Sequence, residues 1–147
     1  MYEVPVAMED LNYYDTLIAV ADDCPVSVSE VPPIRGGRKT VAVLQYEMIA
    51  AAPFALTQED VLFESWFARQ SLDGTSEAEK ARLRTEFFAK PQACLRSSPL
   101  PKQYGWGLVF DSEGRVALCP MESPEYHRLV NGDAGLEILN AMRSKRG

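Results

Sequence analysis

The chain has 147 residues, of which 46% are hydrophobic and 24% charged, and its formal net charge is −6. These values are typical of one folded domain and argue against a disordered chain. No apolar run approaches the roughly 20 residues that span a bilayer, so no membrane partner is predicted. The acidic balance also argues against nucleic acid as a partner, because a negative surface repels phosphates.

The sequence predicts a cytoplasmic location and no metal or cofactor. Residues 1–6 have neither the basic nor the apolar region of a secretory signal. The three cysteines, Cys24, Cys94 and Cys119, are odd in number and widely spaced, which excludes a disulfide framework and suits a reducing compartment. A structural zinc site would need all three cysteines and the single histidine, His127, and no C-x-x-C pair supports such a site, so none is expected.

The first half of the chain contains one clear strand and one ambiguous segment. Residues 1–11 show no hydrophobic period, and we expect them to form a loose arm before a single domain of residues 12–147. The apolar, β-branched run at 16–20 predicts a buried strand. Residues 41–52 fit a strand or a helix, but their number and Thr40 as an N-cap favour a helix.

Two further helices have stronger start signals. Thr57 and Ser76 each stand three residues before an acidic side chain, which is the pattern of a capping box. They predict helices that end near Gln70 and Lys90. The side chains expected to face the core are Val61, Leu62, Trp66, Phe67, Leu83, Phe87 and Phe88.

The last third of the chain predicts a β-hairpin. Residues 104–110 alternate between large and small side chains, 111–114 favour a turn, and the returning strand is expected from Arg115 to about Pro120. One helix is expected after Ser123, and a last helix after Asp133. The last helix would carry Leu136, Leu139 and Met142. The predicted fold is α+β, a small, mainly antiparallel sheet covered by four or five helices.

Several segments together resemble a family of small uncharacterised microbial proteins, a domain of unknown function. They are NYYDT at 12–16, RGG at 35–37, TVAVLQYE at 40–47, KPQACLR at 90–96, YGWG at 104–107 and ESPEY at 122–126. The resemblance extends from about Asn12 to the C-terminus. It implies membership of that family and no particular activity.

The clearest candidate binding site is a basic segment around two glycines. Adjacent glycines can turn backbone N–H groups to one side, and the first N–H groups of a following helix favour an anion. The spacing of a P-loop is absent. The alternative is an exposed turn whose cations balance an acidic surface. The candidate ligand-binding residues here are Arg35, Gly36, Gly37, Arg38, Lys39 and Thr40.

A second basic segment, residues 90–102, contains rigid prolines and is expected to be an ordered loop. Lys90, Arg96 and Lys102 are candidates to join the first segment around one ligand. Neighbouring cations favour the thiolate of Cys94, although a free cysteine is more often a small buried side chain. A nucleophile needs a base, and the only histidine is His127. No catalytic constellation is recognised, which leaves enzyme activity open.

The sequence therefore favours a cytoplasmic domain that binds a small phosphate- or carboxylate-bearing ligand. The alternative is a protein–protein interaction or self-associating module, including a homo-oligomer, that uses the hairpin at residues 104–110 or an apolar patch beside it. The rings of Tyr104 and Trp106 are expected to pack in the core, with a flat ligand platform as the other possibility.

Overall fold

The computed structural model describes residues 11–144. The elements in chain order are β1 (Thr16–Ala19), α1 (Val41–Ala51), β2 (Leu56–Thr57), α2 (Gln58–Ala68), α3 (Glu77–Phe88), a 3-10 helix (Leu95–Ser97), α4 (Pro99–Gln103), β3 (Trp106–Phe110), β4 (Arg115–Pro120), α5 (Pro124–Val130) and β5 (Glu137–Asn140). Helices and one sheet make this an α+β fold, as predicted. Across the described residues, no helix is long and apolar enough to cross a membrane.

The five strands form one sheet in the order β2-β4-β3-β1-β5. Three of the four pairings are antiparallel, and β1 pairs with β5 in parallel. The predicted hairpin is present as β3 and β4. Its turn is held by the Asp111 carboxylate, which accepts the N–H groups of Glu113 and Arg115 at 2.9 and 2.8 Å. The mainly antiparallel sheet is thus confirmed.

The side-chain period of two gives the sheet two buried faces. Ile18, Leu108 and Phe110 point to one face and are fully buried beneath α1, α2 and α4. Leu17 points to the other face, where it packs with Leu129 of α5. Because both faces are covered, β1 is buried along its whole length.

The capping residues define the helix starts. The Thr40 hydroxyl accepts the N–H of Val43 at 3.3 Å and caps α1, which resolves the ambiguous segment as a helix. A complete capping box forms at Thr57. Ser76 accepts the N–H of Glu79 at 3.1 Å, but the Glu79 carboxylate pairs with Arg82 and does not close a second box.

The predicted buried stripe of α3 is wrong. No residue of α3 is fully buried, and Leu83, Phe87 and Phe88 are only half-buried. The helix lies outside α2 and contacts it through aromatic rings, with the Phe87 ring centroid 5.2 Å from that of Trp66. A side chain between two helices, with no sheet beneath it, keeps one side open to solvent.

The predicted last helix is also wrong, because residues 137–140 form β5. Gly132 and Gly135 have φ of +87° and +72°, which a right-handed helix does not accept, so the start at Asp133 fails. The open edge of β1 supplies hydrogen-bonding partners for an extended chain. A tertiary pairing has overridden the helical spacing of the apolar residues.

Of the predicted arm, residues 1–11, only Leu11 lies within the described part of the chain, and its N–H donates to Glu59 Oε2 at 2.8 Å.

The segment predicted as an ordered loop, residues 90–102, contains the 3-10 helix and the start of α4. Ser98 caps α4 by accepting the N–H of Leu100 at 3.2 Å, and Pro99 takes the first helical position.

Candidate functional site

The two glycines of the basic segment form a tight turn. Gly36 and Gly37 have φ of +63° and +73°, and the N–H of Arg38 donates to the carbonyl of Arg35 at 3.2 Å. Positive φ at both central positions is the requirement of a type I′ turn, which explains the glycine pair. From this turn the chain continues through Arg38 and the residues after it towards α1.

Arg38 and Lys39 are both held by neighbours. The Lys39 Nζ lies 2.8 Å from Glu47 Oε1, and the Arg38 guanidinium donates to the carbonyl of Arg69 at 3.2 Å. The second contact joins the glycine turn to the C-terminal end of α2. Both side chains are exposed, so these contacts orient the cations without removing them from solvent.

A surface depression of about 290 Å³ lies where these segments meet, and we call it the cationic depression. It is lined by Gly37, Arg38, Lys39, Leu44, Ala68, Arg69 and Ser71. Sequence reasoning missed Arg69, which is 31 residues from Arg38. Within residues 11–144, the Arg69 guanidinium has no hydrogen bond or ion pair. Leu44, in the first turn of α1, also lines the depression, whereas residues 40–43 do not.

The second predicted basic segment does not reach this depression. The Arg96 guanidinium donates to the carbonyl of Asn140 at 2.8 Å, at the end of β5. Lys102 lies on α4, and neither side chain is among the residues that line the depression. Arg35 lies in the glycine turn but does not line the depression either.

Cys94 and His127 lie on different faces of the sheet. The Cys94 thiol contacts the Tyr13 hydroxyl, on the side covered by α1 and α2. Burial, followed by the hydrogen bond with Cys94, raises the pKa of Tyr13 to about 12. His127 lies on α5 at the other face, where its ring contacts Tyr126. No described interaction joins Cys94 to His127 as nucleophile and base.

The rings of the hairpin pack within the protein. Trp106 donates its indole N–H to the carbonyl of Glu30 at 2.8 Å and lies against Tyr46, with ring centroids 5.4 Å apart. A Cβ at Gly107 would lie 2.8 Å from the Tyr126 ring. The glycine therefore admits a protein side chain, and both long sides of β3 are occupied by β4 and β1. Four residues of 104–110 are buried and three are half-buried, so this segment offers little open surface, and an interaction through an apolar patch beside it stays a prediction.

Two further cavities lie along the same side of α2. The larger, about 470 Å³, is lined by Trp66, Leu83, Glu86, Phe87, Ala89, Lys90 and Gln92. The smaller, about 230 Å³, is lined by Val41, Gln45, Leu62, Ser65, Trp66, Arg69, Gln70, Phe87, Gln92 and Ala93. Sequence reasoning missed both, because they form between helices that are distant in the chain. In residues 11–144, no three His, Cys, Asp or Glu side chains cluster as metal ligands.

These observations define an α+β domain with open cavities between its outer helices, next to a basic turn. The chain belongs to the family of unknown function DUF6157, whose model matches residues 8–147. The resemblance inferred from the sequence is thereby confirmed, and the match begins four positions before Asn12. No curated protein and no solved structure matches the chain.

Proposed function

We propose that the protein binds a small molecule bearing a phosphate or carboxylate group at the cationic depression. The observation that carries the proposal is the convergence of Arg38, Lys39 and Arg69 on one depression of a chain with net charge −6. Guanidinium groups bind planar carboxylates and phosphates through pairs of parallel N–H donors. The first turn of α1 borders the depression through Leu44, which brings the positive end of the helix dipole near the anion.

The local contacts support this role because they orient the cationic side chains and leave some of their hydrogen-bond donors unused. Arg38 uses one donor on the Arg69 carbonyl, and a guanidinium has five. Lys39 has Glu47 as a counter-ion, which makes it the weakest of the three candidates. Arg69 has the largest unused capacity, since its guanidinium has no polar partner within residues 11–144.

The test is a thermal-shift and calorimetric screen of inorganic phosphate, phosphate monoesters and carboxylates at low and moderate salt. A ligand at 100 times its Kd adds about 2.7 kcal/mol of stability, which raises Tm by roughly 5–10 °C. Arg69→Gln is expected to weaken binding about tenfold or more, because it removes a charge-assisted contact. Lys102→Gln is the matched control, since it removes one positive charge at a position outside the depression.

Two results would contradict the proposal. One is a screen without any anion-dependent shift. The other is an equal loss of affinity in Arg69→Gln and Lys102→Gln, which would reduce the effect to overall charge. The affinity of Arg35→Gln, measured beside these variants, decides whether the predicted Arg35 contributes to anion binding.

We further propose a cytoplasmic location, supported by three cysteines that are all free. Thiols stay reduced in the cytosol, whereas the thiols of exported proteins are commonly oxidised to disulfides. Self-association remains a prediction, and light scattering at high protein concentration tests it, because a strictly monomeric species contradicts it.

A further inference from the structure

The three cavities adjoin along one face of α2. Leu62, Ser65, Trp66 and Arg69 follow the spacing i, i+3, i+4, i+7, which places them in one row. Arg69 lines both the cationic depression and the 230 Å³ cavity. Trp66, Phe87 and Gln92 line both the 230 and the 470 Å³ cavities. We call this row of three neighbouring cavities, which share lining residues, the α2 groove.

One end of the α2 groove is apolar. The Trp66 and Phe87 rings lie with centroids 5.2 Å apart, and both side chains are half-buried. Leu83 completes this wall from α3, the helix that buries no residue fully. A cavity of about 470 Å³ lies within the range of small-molecule sites, and its aromatic lining is typical of them.

The middle of the groove contains a buried amide with donor capacity to spare. Gln45 and Ser65 are each 4% exposed. The Gln45 Oε1 accepts the Ser98 hydroxyl at 2.6 Å, which fixes the orientation of the amide. Its Nε2 makes one long contact, 3.5 Å to the Ser65 hydroxyl, although an amide nitrogen can donate twice. A buried N–H without a full partner is costly, so a ligand acceptor here would be favoured.

The opposite end carries the cations. Arg69 follows Trp66 by three residues, so their Cα atoms are separated by about 4.5 Å along the helix axis. A single small ligand can therefore place an acidic group near Arg69 and an apolar group against Trp66.

We propose that the α2 groove binds an amphipathic organic acid, and this inference rests on the proposed function. Its carboxylate or phosphate lies between Arg38 and Arg69. An acceptor atom next to the head receives the N–H of Gln45. The apolar body lies against Trp66 and Phe87, where it covers half-exposed rings.

The experiment measures affinity for n-alkyl phosphates and n-alkyl carboxylates of two to eight carbons by calorimetry, beside inorganic phosphate and the n-alkanols. Affinity is expected to rise about three- to fourfold per methylene group while the chain fills the apolar end. The alkanols are expected to bind far more weakly than acids of equal length. Comparison of the two acid series identifies the preferred head group.

Substitutions at each end separate the two ends of the groove. Ala89→Trp fills the apolar end from an exposed position at the end of α3, and is expected to abolish the dependence on chain length while inorganic phosphate still binds. Glu86→Trp fills the same end and serves if Ala89→Trp fails to fold. Arg69→Gln is expected to weaken every anion.

The outcomes distinguish the two proposals. Binding of inorganic phosphate without any gain from the alkyl chain overturns the amphipathic ligand and leaves the anion site standing. Alkanols that bind as tightly as the acids show an apolar pocket without a head-group site and overturn both. Absence of binding throughout also refutes both. A chain-length gain that survives both tryptophan variants places the alkyl chain elsewhere and overturns the inference alone.

Discussion

Replacing Gln58 tests whether one buried side chain joins the two halves of the domain. Gln58 is 1% exposed and lies at the first position of α2. Its Oε1 accepts the N–H of Leu95 at 2.8 Å, and its Nε2 donates to the carbonyl of Leu11. The side chain therefore connects the start of the described chain, α2 and the 3-10 helix.

The expected cost of Gln58→Met follows from the burial of its partners. Leu95 is 1% exposed, so its N–H would be left buried without an acceptor, which costs about 1–3 kcal/mol. Leu11 is 45% exposed, and water can replace the lost donor at its carbonyl. We therefore expect the free energy of unfolding to fall by about 2 kcal/mol and Tm by roughly 4–8 °C.

Urea denaturation measures this loss as a shift of the midpoint by about 1 M, with an unchanged slope. Gln70→Met is the matched control, because Gln70 is exposed and, among residues 11–144, its side chain bonds only the Trp66 carbonyl. It is expected to stay within about 0.5 kcal/mol of the unchanged protein. An equal stability of both variants would refute the reasoning, since the Leu95 N–H would then have no need of Gln58.

Two further predictions concern the packing of single residues. Gly107→Ala places a Cβ 2.8 Å from the Tyr126 ring, and overpacking of this kind is expected to cost about 1–3 kcal/mol, measured as a fall in Tm. Tyr13 is expected to titrate near pH 12, because burial and the hydrogen bond with Cys94 favour its neutral form. The stabilisation that is linked to this raised pKa is complete below pH 10, the pKa of the side chain in the unfolded protein. It is lost as the pH rises towards 12. An absorbance titration in which Tyr13→Phe leaves the highest-pH step unchanged would contradict this assignment.

The local sequence determined most of the elements. Thr40, Thr57 and Ser76 start helices where predicted, because an N-cap acts on N–H groups only a few residues away. The alternation at 104–110 and the turn after it produce the hairpin for the same reason. The glycine pair at 36 and 37 also forms its turn through local backbone geometry.

The tertiary structure decided what distant segments do to one another. Residues 137–140 form a strand because β1 offers an unpaired edge, a partner more than a hundred residues away. The cationic depression needs Arg69 of α2 beside Arg38, whereas the predicted Arg96 is drawn to the end of β5. Charge and spacing along the chain identify cations, but the packing of helices determines which of them share a site.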